Sequence, residues 1–159
     1  MTPGSLGMAL LAKPTDIIIH HTDSSDGPDC SVPGIRKWHT GTPPNGPADG
    51  PYADIAYHLL VERLGESYEL VIGRPWIFRG AHCKGHNHNS LGVAFVGDFN
   101  LAEPPIGQLI IGARGVATLM RIYGIPAERI FPHRQFNSTD CPGKLFPWEK
   151  FLQAVRVAL

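Results

Sequence analysis

Near the C-terminal end, Phe131-Pro-His-Arg-Gln-Phe-Asn-Ser-Thr-Asp-Cys-Pro-Gly143 offers one imidazole, His133, and one thiol, Cys141, eight residues apart and just ahead of a Pro-Gly turn. Far upstream, His20 and His21 stand at the end of the run Asp16-Ile17-Ile18-Ile19. Neutral imidazole nitrogen and thiolate sulfur are donors that zinc accepts, and a catalytic zinc site takes three such ligands and keeps a fourth position open. Two histidines and one cysteine meet that count. Zinc so held lowers the pKa of water toward ~7 and polarises a carbonyl, which suits amide hydrolysis. The residue types leave a second reading open. The spacing of His133 and Cys141 is no local metal motif, and scattered histidines and cysteines commonly fill structural and surface roles.

For the two places to meet, the fold must carry both to one rim. Asp16 to Thr22, β-branched and then polar, reads as a buried strand whose last residues emerge at that rim. Successive strand side chains face opposite ways, so His20 and His21 cannot both serve one metal on an unbroken strand. Pro33 to His39 reads as a short helix with proline in its first turn, with Trp38 as its core anchor and His39 reaching the cleft. Thr40 to Pro51, dense in Gly and Pro, reads as a loop bordering that cleft. Ala56–Val61 and Ser67–Ile72 read as an antiparallel hairpin turning at Leu64-Gly65-Glu66. The apolar run 91–97 reads as a central strand. Apolar residues at three- and four-residue spacing predict a helix from Ile106 to Tyr123, stopped by Gly124. Ile130 and Phe131 make a short strand, and a last helix runs from Pro147 to Ala158.

Composition bounds the class. A chain of 159 residues and 17.3 kDa forms one domain with a sizeable core. Residues 1–14 read as a loose extension or strap, and residues 15–159 as the domain. Lys plus Arg and Asp plus Glu both total 14, so no net charge points to nucleic acid or an anionic membrane. The apolar segment 6–12 is too short to span a bilayer and lacks the flanks of a signal peptide. The expectation is a monomer made in the cytoplasm. Three cysteines make no disulfide framework. A Cys30–Cys83 bridge is conceivable, and two reduced thiols packed as small hydrophobes are the simpler reading.

The ordered motifs IIIHHT, DIAYHLLV, GRPWIFRGAHCKGHNHNSLGVAFVGDF and PHRQFNSTDCPG resemble those of the zinc-dependent N-acetylmuramoyl-L-alanine amidases, which include phage amidase-type lysozymes and peptidoglycan recognition proteins. The resemblance runs from about Asp16 to the last helix. It implies an α/β fold with a central mixed β-sheet flanked by helices, one Zn2+ ion, and a groove for the glycan and stem peptide of peptidoglycan. It selects His20, His133 and Cys141 as metal ligands and leaves His21 structural. It places Tyr57 facing the scissile carbonyl, and strand alternation puts His58 on the opposite face. Thr139 falls where phage enzymes commonly carry lysine and amidase-active recognition proteins a hydroxyl residue; a hydroxyl donates a hydrogen bond to an oxyanion without adding charge. Trp76, His82 and Asn87, with His39, fall in the substrate-groove segments. The implied activity is hydrolysis of the bond between N-acetylmuramic acid and L-alanine, in a bacteriolytic endolysin acting on the wall after release. A wall-recycling amidase and a non-catalytic peptidoglycan-binding protein are the alternatives. Recognition proteins that have lost hydrolysis generally lack the metal thiolate, and Cys141 is present.

Overall fold

A computed structural model describes residues 7–25 and 30–159. The first six residues of the expected N-terminal extension, and positions 26–29 between the first strand and the first helix, lie outside the described residues.

Strand β1 (Asp16–His21) is buried along its whole length between two parallel neighbours, β4 (Ser90–Phe95) and β5 (Ile130–Pro132). A parallel strand covered on both faces needs apolar side chains in succession rather than in alternation, which accounts for Ile17-Ile18-Ile19. Asp16 sets the register at the foot of these strands. Its buried carboxylate accepts from Arg129 just before β5, at 2.7 Å, and from Asn89 just before β4, at 3.1 Å. Ile19 therefore pairs with Pro132. The next residues, His20 and His133, emerge together at the carboxyl ends of their strands, where sites in α/β sheets form.

Strands β2 (Leu59–Leu64) and β3 (Ser67–Ile72) form an antiparallel hairpin through Gly65-Glu66, with Gly65 at φ 61°. The sheet order is β3-β2-β4-β1-β5. With β2 and β4 parallel and only the hairpin antiparallel, it is the expected mixed sheet. The expected first hairpin strand starts three residues too early. Residues 56–58 leave the ladder because their backbone partners diverge. The Tyr57 carbonyl accepts from Arg74 N–H and the Ala56 carbonyl from Ala81 N–H, while His58 N–H donates to Gly92. Tyr57 is accordingly a loop residue.

Alternation along the strands separates two apolar layers. Ile17, Ile19, Leu59, Val61, Val93 and Phe95 pack under α2 (Ile106–Tyr123) and α3 (Trp148–Ala158). Leu60, Ala94 and Val96 pack on the other face under α1 (Val32–His39). Gly112 and Gly115 let α2 approach closely: a Cβ at Gly112 would lie 2.2 Å from the Phe95 ring, and one at Gly115 2.7 Å from Leu70. Gly124 ends α2 in the left-handed conformation at φ 68°, as the sequence predicts. Buried Gln108 donates to the carbonyls of Val61 and Val96, satisfying backbone just where the β2–β4 pairing ends. Helix α1 is held by Glu62, which accepts the Val32 N–H at 2.7 Å, and by the Arg36–Asp54 ion pair at 2.8 Å. The described part of the N-terminal stretch straps the loop after β3, Leu10 bridging Phe78 in antiparallel fashion. Cys30, Cys83 and Cys141 are all free thiols, so no Cys30–Cys83 bridge forms. Among the described residues no helix is long and apolar enough to cross a membrane.

Candidate metal centre and cleft

The carboxyl ends of β1 and β5 and the turn at Cys141 converge on one point. Donor atoms of His20, His133 and Cys141 lie within 4.8 Å of one another, and His20 Nδ1 is 3.7 Å from Cys141 Sγ. Two ligands on one tetrahedral zinc, at ordinary Zn–N and Zn–S lengths, stand about 3.5 Å apart. The spacing and the donor set, two imidazoles and one sulfur, both fit that ion.

Burial decides the charge states. His20, only 1% exposed, is held well below the usual histidine range by desolvation first and by His82 and His133 next. Burial also lowers His133, against the hydrogen bond it donates to the Asn137 side-chain oxygen, which raises it. Both rings are neutral at pH 7, the form that binds a metal. Burial pushes the Cys141 thiol up to about 12, although the His21 N–H donates to its sulfur at 3.3 Å. A divalent cation reverses that balance, since coordination deprotonates a thiol outright.

His21 faces the other layer, as alternation demands. Its Nδ1 accepts the Phe99 N–H at 3.1 Å, and its ring packs against Phe99. His58 is fully buried and doubly engaged: Nδ1 accepts from Gly92 N–H and Nε2 donates to the Phe78 carbonyl, both at 2.9 Å.

A cleft of about 380 Å³ opens over the three donors. Tyr57 stands on its wall, half-buried, its ring centroid 5.2 Å from that of His20. Burial first, and Cys141 next, push its phenol above the ordinary tyrosine range, so it remains an O–H donor. Exposed Thr139 lines the same cleft; its oxygen accepts the Cys141 N–H at 3.2 Å, which leaves the hydroxyl proton free. His39 also lines it, with Nδ1 accepting from Ala56 N–H and burial lowering its pKa to about 4.

Two of the groove assignments need correction, and the third, His82, borders the cleft from a buried position. Trp76 donates its indole N–H to the His58 carbonyl at 3.1 Å and packs against Tyr123 and the larger core, away from the cleft. Asn87 spends its side-chain oxygen on the N–H groups of His82 and Cys83, tying its own loop together. His82 does border the cleft but is only 6% exposed, and its Nδ1 sits 3.0 Å from His20 Nε2. It faces His20, one of the three candidate donors.

Conversely, Trp38 is half exposed instead of buried and lines both this cleft and an adjoining one that shares Thr22, Asp23, His39 and Tyr57. Tyr52 and Asp49, joined by a 2.7 Å hydrogen bond, close the same side. Aromatic residues beside His39 and immediately after the Gly/Pro-rich loop were the available signals for Trp38 and Tyr52.

Comparison with known proteins agrees with this architecture. The model of the N-acetylmuramoyl-L-alanine amidase family matches residues 11–144. Peptidoglycan-recognition protein SC2 of Drosophila simulans is 35% identical over 94 residues, which are 58% of this chain and 49% of that protein, so the chain spans about half the length of this relative. The structure of the N-acetylmuramoyl-L-alanine amidase LysC from Clostridium intestinale superposes with a TM-score of 0.71 at 25% identity, covering 98% of this chain and 91% of that one. Peptidoglycan recognition protein-LE, solved in complex with tracheal cytotoxin, a monomeric diaminopimelic acid-type peptidoglycan, gives a TM-score of 0.71 at 27% identity, with 90% of this chain and 82% of that one covered. With its mixed sheet and a family model matching residues 11–144, most of its length, the chain belongs to the N-acetylmuramoyl-L-alanine amidase family.

Proposed function

We propose that this chain is a zinc-dependent N-acetylmuramoyl-L-alanine amidase that hydrolyses the amide between N-acetylmuramic acid and L-alanine in peptidoglycan. The observation that carries the reading is the convergence of His20, His133 and Cys141 beneath an open cleft. His20 and His133 would hold the ion through neutral ring nitrogens and Cys141 through its thiolate. When bound, zinc supplies Lewis acidity toward a carbonyl and lowers the pKa of water toward ~7.

The protein's own groups do the rest. Tyr57 donates its phenolic O–H to the scissile carbonyl oxygen as charge develops there, and Thr139 aims its free hydroxyl proton at the same oxygen. Water adds across the C–N bond, leaving a carboxylate on the lactyl group of the glycan and an amine on L-alanine. Trp38, His39 and Tyr52 present ring faces and polar edges along the cleft, a surface suited to sugar and peptide.

The presence of all three donors favours hydrolysis over recognition alone. In the same reading the chain is a phage or prophage endolysin, made in the cytoplasm and acting on the wall after release. Wall lysis by the purified chain should be lost on chelation and restored by zinc. The digest should show new N-terminal L-alanine, whereas new reducing sugar ends alone would identify a glycosidase. Unaltered peptidoglycan that nevertheless retains the chain would identify a binding protein.

A further inference from the structure

Hydrogen-bond direction around the two imidazoles can be read outward from groups whose roles are unambiguous. Ser90 Oγ lies 2.6 Å from the carbonyl of His86. A carbonyl only accepts, so the hydroxyl proton is committed there. The Ser90 oxygen is then the acceptor for His82 Nε2, 3.5 Å away. His82 accordingly carries its proton on Nε2 and turns a bare Nδ1 to His20 Nε2, at 3.0 Å. His20 must donate from Nε2, which leaves the lone pair on Nδ1, the atom nearest Cys141.

A second chain does the same for the other histidine. The Asn137 amide donates to the carbonyls of Lys84 and Phe136, so its oxygen faces His133 Nε2 at 2.9 Å. His133 therefore also donates from Nε2 and keeps Nδ1 bare. Both chains are anchored on the single loop 82–90, which Asn87 knots from within.

The backbone is shaped around His82. A Cβ at Gly92 would lie 2.5 Å from its ring, and one at Gly80 2.4 Å. Those glycines make room for an imidazole.

We infer that His82 and Asn137 are positioning residues which, through loop 82–90, set the Nε2–H tautomer of His20 and His133, so that both rings present a bare Nδ1 to a metal before it arrives. This inference rests on the proposed zinc reading. Without these partners a neutral imidazole distributes its proton between both nitrogens, and part of the population meets the metal with the wrong atom protonated.

The test begins with the metal-free, histidine-labelled chain at neutral pH. Long-range proton–nitrogen correlation should show His20, His82 and His133 all protonated at Nε2. An Nδ1–H signal for His20 or His133, or an averaged pair, overturns the inference. Chelator competition on folded variants then reads zinc affinity without any turnover. Asn137→Leu and His82→Ala should bind about 10–100-fold more weakly, the usual cost of losing an outer partner. Asn137→Asp, which keeps the acceptor, should recover most of the loss. Wild-type affinity in Asn137→Leu overturns the inference, and that variant decides the matter if His82→Ala does not fold. A wild-type chain with the expected tautomers that binds no zinc would defeat the proposed function instead.

Discussion

The floor and the rim of the cleft are built on opposite terms. On the floor, the side chains of His20, His82, His133 and Asn137 answer one another at 2.9–3.0 Å, and their outermost partners are backbone carbonyls. On the rim, Trp38, His39, Tyr52 and Tyr57 meet as tilted and edge-on rings with centroids 5.5–5.7 Å apart. Hydrogen bonds are directional and specify which atom faces inward, whereas ring contacts tolerate several angles at little cost. Under the proposed function, the floor would hold a small ion in one geometry, and the rim would meet a larger, variable ligand. Substitutions on the floor should therefore change metal binding, and those on the rim should change substrate handling with the metal retained.

The sharpest division comes from Cys141→Ser, which removes a donor outright. Zinc affinity should fall by more than the roughly 10–100-fold cost of losing an outer-shell partner. Unchanged metal content in this variant would remove Cys141 from the donor set and with it the floor's assignment. Tyr57→Phe belongs to the rim and should keep zinc while lowering turnover by about 10²–10³-fold, as loss of one oxyanion donor does. Wild-type turnover would take Tyr57 out of catalysis.

Beneath both regions, His58 ties the loop to β4, and burial lowers its pKa to about 4. The unfolded chain, titrating near 6.5, binds the extra proton at higher pH, so the folded state is favoured above that value. The contribution is lost as pH falls from about 6.5 to 4, and it amounts to about 3 kcal/mol. Denaturant titrations of metal-free protein across that window should show the slope, to which the other buried histidines add, and His58→Gln should make it shallower. A slope unchanged in that variant would assign it to other histidines. Trp38→Ala should have the smallest effect: KM for wall fragments rising about tenfold, equivalent to ~1.4 kcal/mol, with turnover and zinc unchanged. A fall in zinc content there would mean that rim and floor are not separable.

Legibility followed the range of the interactions. The triple isoleucine of β1, the spacing of α2 and its Gly124 stop express local rules, and these elements stand where the pattern places them. Loop 73–89 did not yield in the same way. Trp76, His82 and Asn87 look alike as polar or aromatic loop residues. The orientations of His82 and Trp76 depend on partners as distant in sequence as His20, Tyr123 and the backbone of residue 58, and Asn87 turns inward to the N–H groups of His82 and Cys83. Trp38 failed for a related reason: an aromatic residue on a short amphipathic helix reads as an anchor, but Val32 and Ile35 already fill the space beneath α1.

The sequence by itself determined the donor types, the strand that carries His20, the opposite facing of His21, and, through its ordered motifs, the family. These rest on residue chemistry and on the two-residue period of a strand. Only the tertiary structure decided that Ile19 pairs with Pro132, and hence that His20 and His133 leave the sheet side by side. That register depends on Asp16, whose two oxygens reach Arg129 and Asn89, residues brought together by folding rather than by proximity in the chain.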